Sequence, residues 1–193
     1  MDFPIYELKI NEKVQDDAEV SFVALVDAPA IKRDFLAFKD VVKFEVLSED
    51  QHIITGPLMV PDQLIYRNSE KFGEHYVKFS SDTIKNISIK FAKKGYQNNV
   101  NIMHDSNMQV QGLTMFESFI SNSKRGVKPM AAFSDLPDGT WFGSFFVENP
   151  EVWQLVKSGN VKGFSVEGMF DYEAPQTKDE QVLAELRKIL HTF

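Results

Sequence analysis

The stretch Val161-Lys-Gly-Phe-Ser165-Val-Glu-Gly-Met-Phe170 is an apolar run with the pattern of a β-strand. Ser165 lies inside this strand, and Glu167, two residues later, points to the same face. A serine hydroxyl becomes a useful nucleophile only when a base lies beside it. Without such a base, Ser165 is a half-buried hydroxyl, which is the commoner case. Whether Ser165 is a nucleophile therefore depends on which other segment the fold places beside this strand.

A second informative stretch, Asn101-Ile-Met-His104-Asp105, places a histidine in another apolar, strand-like run. An imidazole can take up a proton near neutral pH, so His104 is a candidate general base. A lone histidine in an apolar strand is more often a core or edge residue whose hydrogen bonds are satisfied. If the fold brings His104 to Ser165, the chain is a serine hydrolase; otherwise it is an α+β domain without a marked site.

The pattern around His104 also indicates a partner for it. Strands are predicted at residues 100–104 and 113–120, joined as an antiparallel hairpin. A turn near residues 110–111 would place His104 opposite or close to Glu117. A carboxylate in that position fixes the tautomer of the imidazole and stabilises the imidazolium, which is the role of the third member of a catalytic triad.

Other acids compete with this first choice. Glu167 is the main alternative third member, because it shares a strand face with Ser165. Asp105 is disfavoured, since the residue next to His104 in a strand points away from it. Asp171 is a weaker candidate.

The remaining chain is predicted to be mostly β, with strands at residues 4–10, 20–27, 41–47, 53–60, 75–79 and 140–147. One helix is predicted to begin at Ser80 or Ser81 and to end at Gly95, and a second to begin at Asn149. A last amphipathic helix is predicted after Pro175, and residues 121–139 are predicted to form a long polar loop. The prediction is an α+β fold, mostly β, in the form of a barrel or strongly curled sheet with peripheral helices.

Composition excludes several classes of protein. The 193 residues suit one domain, and a net charge of −7 provides no basic surface for nucleic acid or anionic membrane. No apolar run approaches the roughly 18 residues that span a bilayer, and the N-terminus does not resemble a signal peptide. The absence of cysteine excludes disulfides, thiolate metal sites and cysteine nucleophiles, and is compatible with the cytosol.

Motifs for other chemistry are also missing. The four histidines show no paired spacing, so no metal site is predicted, and no glycine-rich phosphate loop supports a nucleotide cofactor. The sequence Gly163-Phe-Ser165-Val-Glu-Gly168 is not the nucleophile elbow of α/β-hydrolases, because its second glycine comes one residue late. We therefore predict no cofactor.

In their order along the chain, several runs together resemble the phage serine proteases of the XkdF type, which are head-maturation (prohead) proteases of tailed bacteriophages. The resemblance covers roughly residues 4–172. The residues that carry it are Leu25-Val-Asp-Ala-Pro-Ala-Ile31, Gly56-Pro-Leu-Met-Val-Pro-Asp62, Ile65-Tyr-Arg67, His104-Asp105, Gly139-Thr-Trp141, Val152-Trp153, Lys157-Ser-Gly159 and Val161-Lys-Gly-Phe-Ser165-Val-Glu-Gly168.

The resemblance implies a herpesvirus-protease-like (assemblin) fold, a β-barrel surrounded by helices, with the catalytic residues on barrel strands. It makes Ser165 the nucleophile and His104 the general base. Herpesvirus enzymes use a second histidine as third member, but here only His191 follows Ser165. An acid is therefore expected, with Glu117 as the first choice and Glu167 as the alternative.

The resemblance also implies a biological role. Residues 1–174 would form the protease domain, and residues 175–193 a packed helix or the start of a scaffold-like extension. The substrates would be the phage scaffold protein and the major capsid protein, cleaved in the host cytoplasm inside the assembling prohead and followed by self-cleavage. Proteases of this fold often form homodimers through helices, so a homodimer is expected. The alternative is a catalytically silent relative that serves as a capsid or scaffold interaction module.

Overall fold

The computed structural model describes residues 3–13, 17–27, 45–48, 51–105 and 109–173. Within these ranges the chain is mostly β with two α-helices, which confirms the predicted α+β class. The helices are α1 (Ser81–Lys93) and α2 (Pro150–Lys157), and 3₁₀ turns lie at Tyr96–Asn98, Ser123–Arg125 and Ala131–Phe133. The strands are β1 (Ile5–Lys9), β2 (Glu19–Val26), β3 (Glu45–Ser48), β4 (Ile53–Met59), β5 (Ile65–Ser69), β6 (Gly73–Lys78), β7 (Val100–Ile102), β8 (Leu113–Ile120), β9 (Trp141–Val147), β10 (Gly163–Met169) and β11 (Asp171–Glu173).

The described strands form three sheets. The first sheet has the order β11-β1-β6-β5, the second has the order β10-β2-β7, and the third has the order β3-β4-β9-β8. We call the second the serine sheet, because β10 carries Ser165. Each sheet ends in two edge strands within the described ranges, so these residues form open sheets and no closed barrel.

The serine sheet and the third sheet pack on a common hydrophobic core. Val23 and Leu25 on β2 face this core and are fully buried. The ring of Phe164 on β10 lies 4.8 Å from the ring of Phe145 on β9. Fully burying an aliphatic side chain such as Leu25 contributes about 1.5–3 kcal/mol. Because side chains alternate along a strand, Ser165 leaves the face of the serine sheet opposite to the core.

Helix α1 begins and ends, and helix α2 begins, where the sequence signals predict. Ser80 caps the start of α1, and Gly95 (φ 71°) follows its end in the left-handed conformation that glycine tolerates. The Asn149 side-chain oxygen accepts hydrogen bonds from the backbone N–H groups of Glu151 and Val152, at 3.0 and 3.2 Å. Helix α1 packs against β2 and β9, and its buried apolar side chains are Ile84, Ile87 and Phe91.

The predicted hairpin between residues 100–104 and 113–120 is wrong. Strand β7 instead pairs in parallel with β2, and β8 pairs with β9 in an antiparallel register from Leu113↔Val147 to Ile120↔Trp141. Apolar alternation determines which face of a strand is buried, but it does not specify the neighbouring strand. Strands β7 and β8 therefore belong to two different sheets.

Other differences are smaller. Strand β5 was not predicted; it forms an antiparallel pair with β6. The strands predicted at residues 41–47 and 53–60 are present as β3 and β4 and form an antiparallel pair, although residues 41–44 lie outside the described residues. The C-terminal helix predicted after Pro175 also lies outside them, so the domain division at residues 174 and 175 stays a prediction.

Candidate active site

Strand β10 places Ser165 at one end of a row of residues that crosses the three strands of the serine sheet. Ser165 pairs with Ala24 on β2, and Ala24 pairs in turn with Asn101 on β7. Residues in one row share a sheet face, so the Ser165 and Asn101 side chains leave the same side of the serine sheet. Two strand spacings separate their Cα atoms, a distance of about 10 Å. Ser165 is half-buried.

His104 lies just beyond β7, in a turn with an unusual backbone. Met103 and His104 have φ angles of 54° and 60°, so two successive non-glycine residues are left-handed. This conformation costs roughly 1–2 kcal/mol per residue. Two backbone hydrogen bonds hold the turn, from Met103 N to Leu25 O at 3.0 Å and from Asp105 N to Ile102 O at 3.1 Å. Strain of this kind concentrates at functional sites, where the surrounding structure maintains it.

The turn brings His104 to Glu167. His104 Nδ1 lies 2.9 Å from Glu167 Oε1, and the two side chains are 28% and 27% exposed. A carboxylate accepts a hydrogen bond, so Nδ1 carries the proton in this contact and Nε2 is the basic nitrogen of the neutral imidazole. The pair joins β10 to the segment after β7, across the intervening strand β2.

Asn101 completes this arrangement and was missed as a site residue by sequence reasoning. Its Nδ2 donates to the same Glu167 oxygen at 2.6 Å, and the residue is fully buried. The sequence did contain a signal, because Asn101 is a polar amide between two apolar residues, Val100 and Ile102, in a strand-like run. Such a residue needs a hydrogen-bond partner when it is buried.

Glu117 lies in a different part of the fold. It is on β8 in the third sheet, where its Oε2 accepts a hydrogen bond from Ser144 Oγ at 2.6 Å. Ser144 in turn accepts from Thr55 Oγ1 at 2.8 Å. The hairpin that was expected to place Glu117 beside His104 is not formed, so the structure brings Glu167, and not Glu117, to the histidine.

Gly168 allows β10 to lie close to β2 directly after Glu167. The register between the two strands shifts between Glu167 and Gly168, which is a β-bulge. A Cβ atom on Gly168 would lie 2.0 Å from the carbonyl oxygen of Glu19, so no larger residue fits this approach. Bulges re-aim neighbouring side chains, and this one follows the carboxylate that contacts His104.

The hydroxyl of Ser165 is not hydrogen-bonded to His104 among the described residues. Catalytic hydrogen bonds are often long in an enzyme without substrate and shorten when substrate binds. The face therefore presents a half-buried serine, a histidine with its acid on Nδ1, and a buried amide on that acid. These are the group types that nucleophilic acyl transfer uses.

The other two described histidines have structural surroundings. His52 stacks on Trp153, with ring centroids 4.5 Å apart, and its Nδ1 lies 3.1 Å from Val147 O. His75 is fully buried among aromatic rings, with Nδ1 2.8 Å from Gly73 O. In the part of the chain that the structure describes, no group of three His, Asp or Glu side chains could hold a metal ion. Neither described helix is long and apolar enough to cross a membrane.

The comparisons with known proteins agree with the chemistry of this face. A sequence model of one protein family, described as "Putative phage serine protease XkdF", matches residues 40–173. No curated protein and no solved structure matches the chain. The family match covers more than half of the 193 residues and includes His104, Ser165 and Glu167. The chain therefore belongs to the XkdF family of phage serine proteases.

Proposed function

We propose that this protein is a serine endopeptidase in which Ser165 is the nucleophile, His104 the general base and Glu167 the third member of the triad. The observation that carries the proposal is the 2.9 Å contact between His104 Nδ1 and Glu167 Oε1. This contact occurs on the sheet face from which Ser165 also projects. Membership of a phage serine protease family supports the same chemistry.

The reaction follows from the roles of these atoms. Ser165 Oγ attacks the carbonyl carbon of the peptide while His104 Nε2 takes the hydroxyl proton. Glu167 stabilises the resulting imidazolium through the Nδ1–H hydrogen bond. The C–N bond then breaks and His104 returns the proton to the leaving amine. Water, activated by His104, hydrolyses the acyl-enzyme and regenerates the Ser165 hydroxyl.

The proposed substrates are the scaffold protein and the major capsid protein of a phage, cleaved in the host cytoplasm inside the assembling prohead. A phage protease that acts during head assembly meets these two proteins at high local concentration. Self-cleavage and a homodimeric state belong to the same proposal. They are supported by the resemblance to head-maturation proteases alone.

We also propose that the three sheets are a variant of the herpesvirus-protease-like barrel. In support, the serine and the histidine belong to one sheet, on β10 and directly after β7. An experimental structure of the full chain tests this relationship. A continuous circuit of hydrogen-bonded strands would support it, and three separate sheets in the complete chain would contradict it.

The second candidate function is a catalytically silent capsid or scaffold interaction module. One observation favours it: among the described residues, Ser165 and His104 are not hydrogen-bonded to each other. The two functions differ in their dependence on Ser165, because only the protease needs its hydroxyl.

Co-expression with the phage capsid and scaffold proteins separates these two functions. We expect the wild type to cleave at least one of them and Ser165→Ala to cleave neither, as measured by intact mass spectrometry. Ser88→Ala is the matched control, since Ser88 is also a half-buried serine and its hydroxyl donates to Lys85 O in its own helix. Equal cleavage by Ser165→Ala and wild type would contradict the mechanism. Binding without cleavage by the wild type would support the silent module.

A further inference from the structure

We propose that Asn101 is a positioning residue for the triad, which holds the Glu167 carboxylate in place for His104. This inference rests on the proposed function and adds a fourth residue to its machinery. Asn101 Nδ2 and His104 Nδ1 both lie within hydrogen-bond distance of one atom, Glu167 Oε1, at 2.6 and 2.9 Å. The amide therefore determines where the oxygen that His104 needs is located.

The two donors differ in how firmly the backbone holds them. Asn101 is inside β7, paired in parallel with β2 through Ala24. His104 lies three residues later in the left-handed turn, and its side chain is 28% exposed. The first donor is thus held within the strand ladder, whereas the second lies in the turn beyond it. Glu167 keeps its position relative to β7 through Asn101, and His104 then aligns to Glu167.

The remaining atom of the amide argues against a purely structural role. Asn101 is fully buried, and its Oδ1 has no hydrogen-bond partner among the residues that the structure describes. Burying an unpaired carbonyl oxygen is unfavourable, and an aliphatic residue at this position would avoid that cost. Within the described ranges, the only hydrogen bond of the side chain goes to the carboxylate of the proposed triad. The hydrogen bond that its side-chain N–H donates to Glu167 therefore explains why this residue is an asparagine.

The alternative is a polar link that only ties β7 to β10. The two roles differ in how Asn101 and Glu167 depend on each other. If Asn101 acts through Glu167, removing it matters only while Glu167 is present as a carboxylate. If it only stabilises the sheet, its removal lowers the stability of either background by the same amount and leaves the chemistry of Ser165 unchanged.

The experiment measures labelling of Ser165 by a fluorophosphonate probe, separated into a maximal rate and an apparent affinity, in Asn101→Ala, Glu167→Gln and the double variant. We expect Asn101→Ala to lower the maximal rate by about 10-fold to 100-fold, with apparent affinity changed less than about twofold. In the Glu167→Gln background we expect no further loss from Asn101→Ala. Asn99→Ala is the matched control, because Asn99 also donates one side-chain hydrogen bond nearby, to Ser21 O at 3.0 Å.

A second readout does not depend on activity. Nitrogen-15 NMR of the His104 ring should show the Nδ1–H tautomer in the wild type and a mixture of tautomers in Asn101→Ala, with the thermal midpoint monitored to confirm folding. Asn101→Ser serves in place of Asn101→Ala if that variant does not fold. Wild-type labelling and a wild-type tautomer in the Asn101 variant, or additive losses in the double variant, would overturn the inference.

Failure of the proposed function looks different from failure of this inference. If wild type and Ser165→Ala give identical labelling, the protease proposal fails. The tautomer measurement then decides the inference alone, since it reports whether Asn101 holds Glu167 against His104. A loss of the Nδ1–H tautomer on removal of Asn101 supports it, and an unchanged tautomer overturns it.

Discussion

Two sheets of this protein each place a glutamate near a serine, and the two sites differ in what completes them. On the third sheet, Thr55 donates to Ser144 and Ser144 donates to Glu117, so both hydroxyl protons are already in hydrogen bonds. On the serine sheet, Glu167 accepts a hydrogen bond from His104, and the nearby Ser165 hydroxyl takes no part in it.

Burial separates the two serines as well. Ser144 is fully buried, whereas Ser165 is half-buried on a face that also carries the partly exposed His104. A peptide carbonyl could not approach the first serine without opening the sheet. The serine sheet thus has two features that the third sheet lacks beside its serine and acid, namely a histidine on the acid and access to the serine hydroxyl. Nucleophilic catalysis by a serine requires both a nearby base and room for the substrate.

Exchanging each acid for its amide gives the largest expected contrast between the two sheets. Glu167→Gln should lower the rate of Ser165 labelling by about 10⁴-fold, the loss seen when a triad acid becomes an amide and the histidine takes the wrong tautomer. Glu117→Gln should leave the labelling rate within about twofold of wild type, because its carboxylate contacts Ser144. A larger loss in Glu117→Gln than in Glu167→Gln would reverse the assignment of the acid.

Adding a methyl group to a glycine in each sheet should give the next largest contrast. Gly168→Ala would place Cβ 2.0 Å from the Glu19 carbonyl oxygen, a backbone atom that cannot move without separating β10 from β2. We expect a loss of more than about 3 kcal/mol of unfolding free energy, and of activity, as for overpacked sites.

Gly143→Ala is the counterpart on the third sheet. The three atoms nearest to its Cβ would all belong to side chains: Met115 Sδ at 2.9 Å, Leu58 Cδ1 at 3.1 Å and Phe145 Cε2 at 3.2 Å. Side chains can shift where a backbone atom cannot, so the expected loss is about 1–2 kcal/mol and the labelling rate should not change. Urea denaturation of both variants measures the difference. Equal destabilisation of the two would show that the close approach at Gly168 is not required.

The smallest expected effect concerns Glu19, a carboxylate of the serine sheet with structural surroundings. Burial acts to raise the pKa of Glu19, but hydrogen bonds from Lys94 and Tyr96 outweigh it and hold the pKa below its ordinary value. A carboxyl whose pKa is lower in the folded state stabilises the fold above its ordinary pKa of 4.5 and loses that contribution as the pH falls.

Urea denaturation between pH 7 and pH 3 tests this contribution. Glu19→Gln should be less stable than wild type at pH 7, and the difference should shrink as the pH falls below about 4.5. Glu70→Gln is the control, since Glu70 is exposed. A difference between Glu19→Gln and wild type that is constant across this pH range would show that the ion pairs do not supply the stability.

Local signals predicted much of this fold. Ser80 and Asn149 fixed the starts of the two helices, because a cap satisfies N–H groups within three residues of itself. The strand that carries Ser165 was also predicted from a local signal, which is the apolar pattern of its own residues. The pairing of the strands could not be predicted from the sequence, because an alternating pattern is compatible with a partner strand that is near or remote in the chain.

That difference explains the outcome for the site. His104 and Ser165 were identified from the residues and the family resemblance, but the neighbour of His104 depended on a hairpin that does not form. The structure brings Glu167 to it because β2 lies between β7 and β10. The left-handed turn at Met103 and His104 also could not be predicted, because it contains no glycine.

The most direct test of the central claim is the position of a fluorophosphonate adduct on the wild-type protein. A reactive serine attacks phosphorus, fluoride leaves, and the added mass marks the residue. We predict one adduct, on the tryptic peptide that begins at Gly163 and contains Ser165, and its loss in Ser165→Ala and His104→Ala. An unlabelled Ser165, or an adduct on Ser144, would contradict the assignment of the serine sheet as the active site.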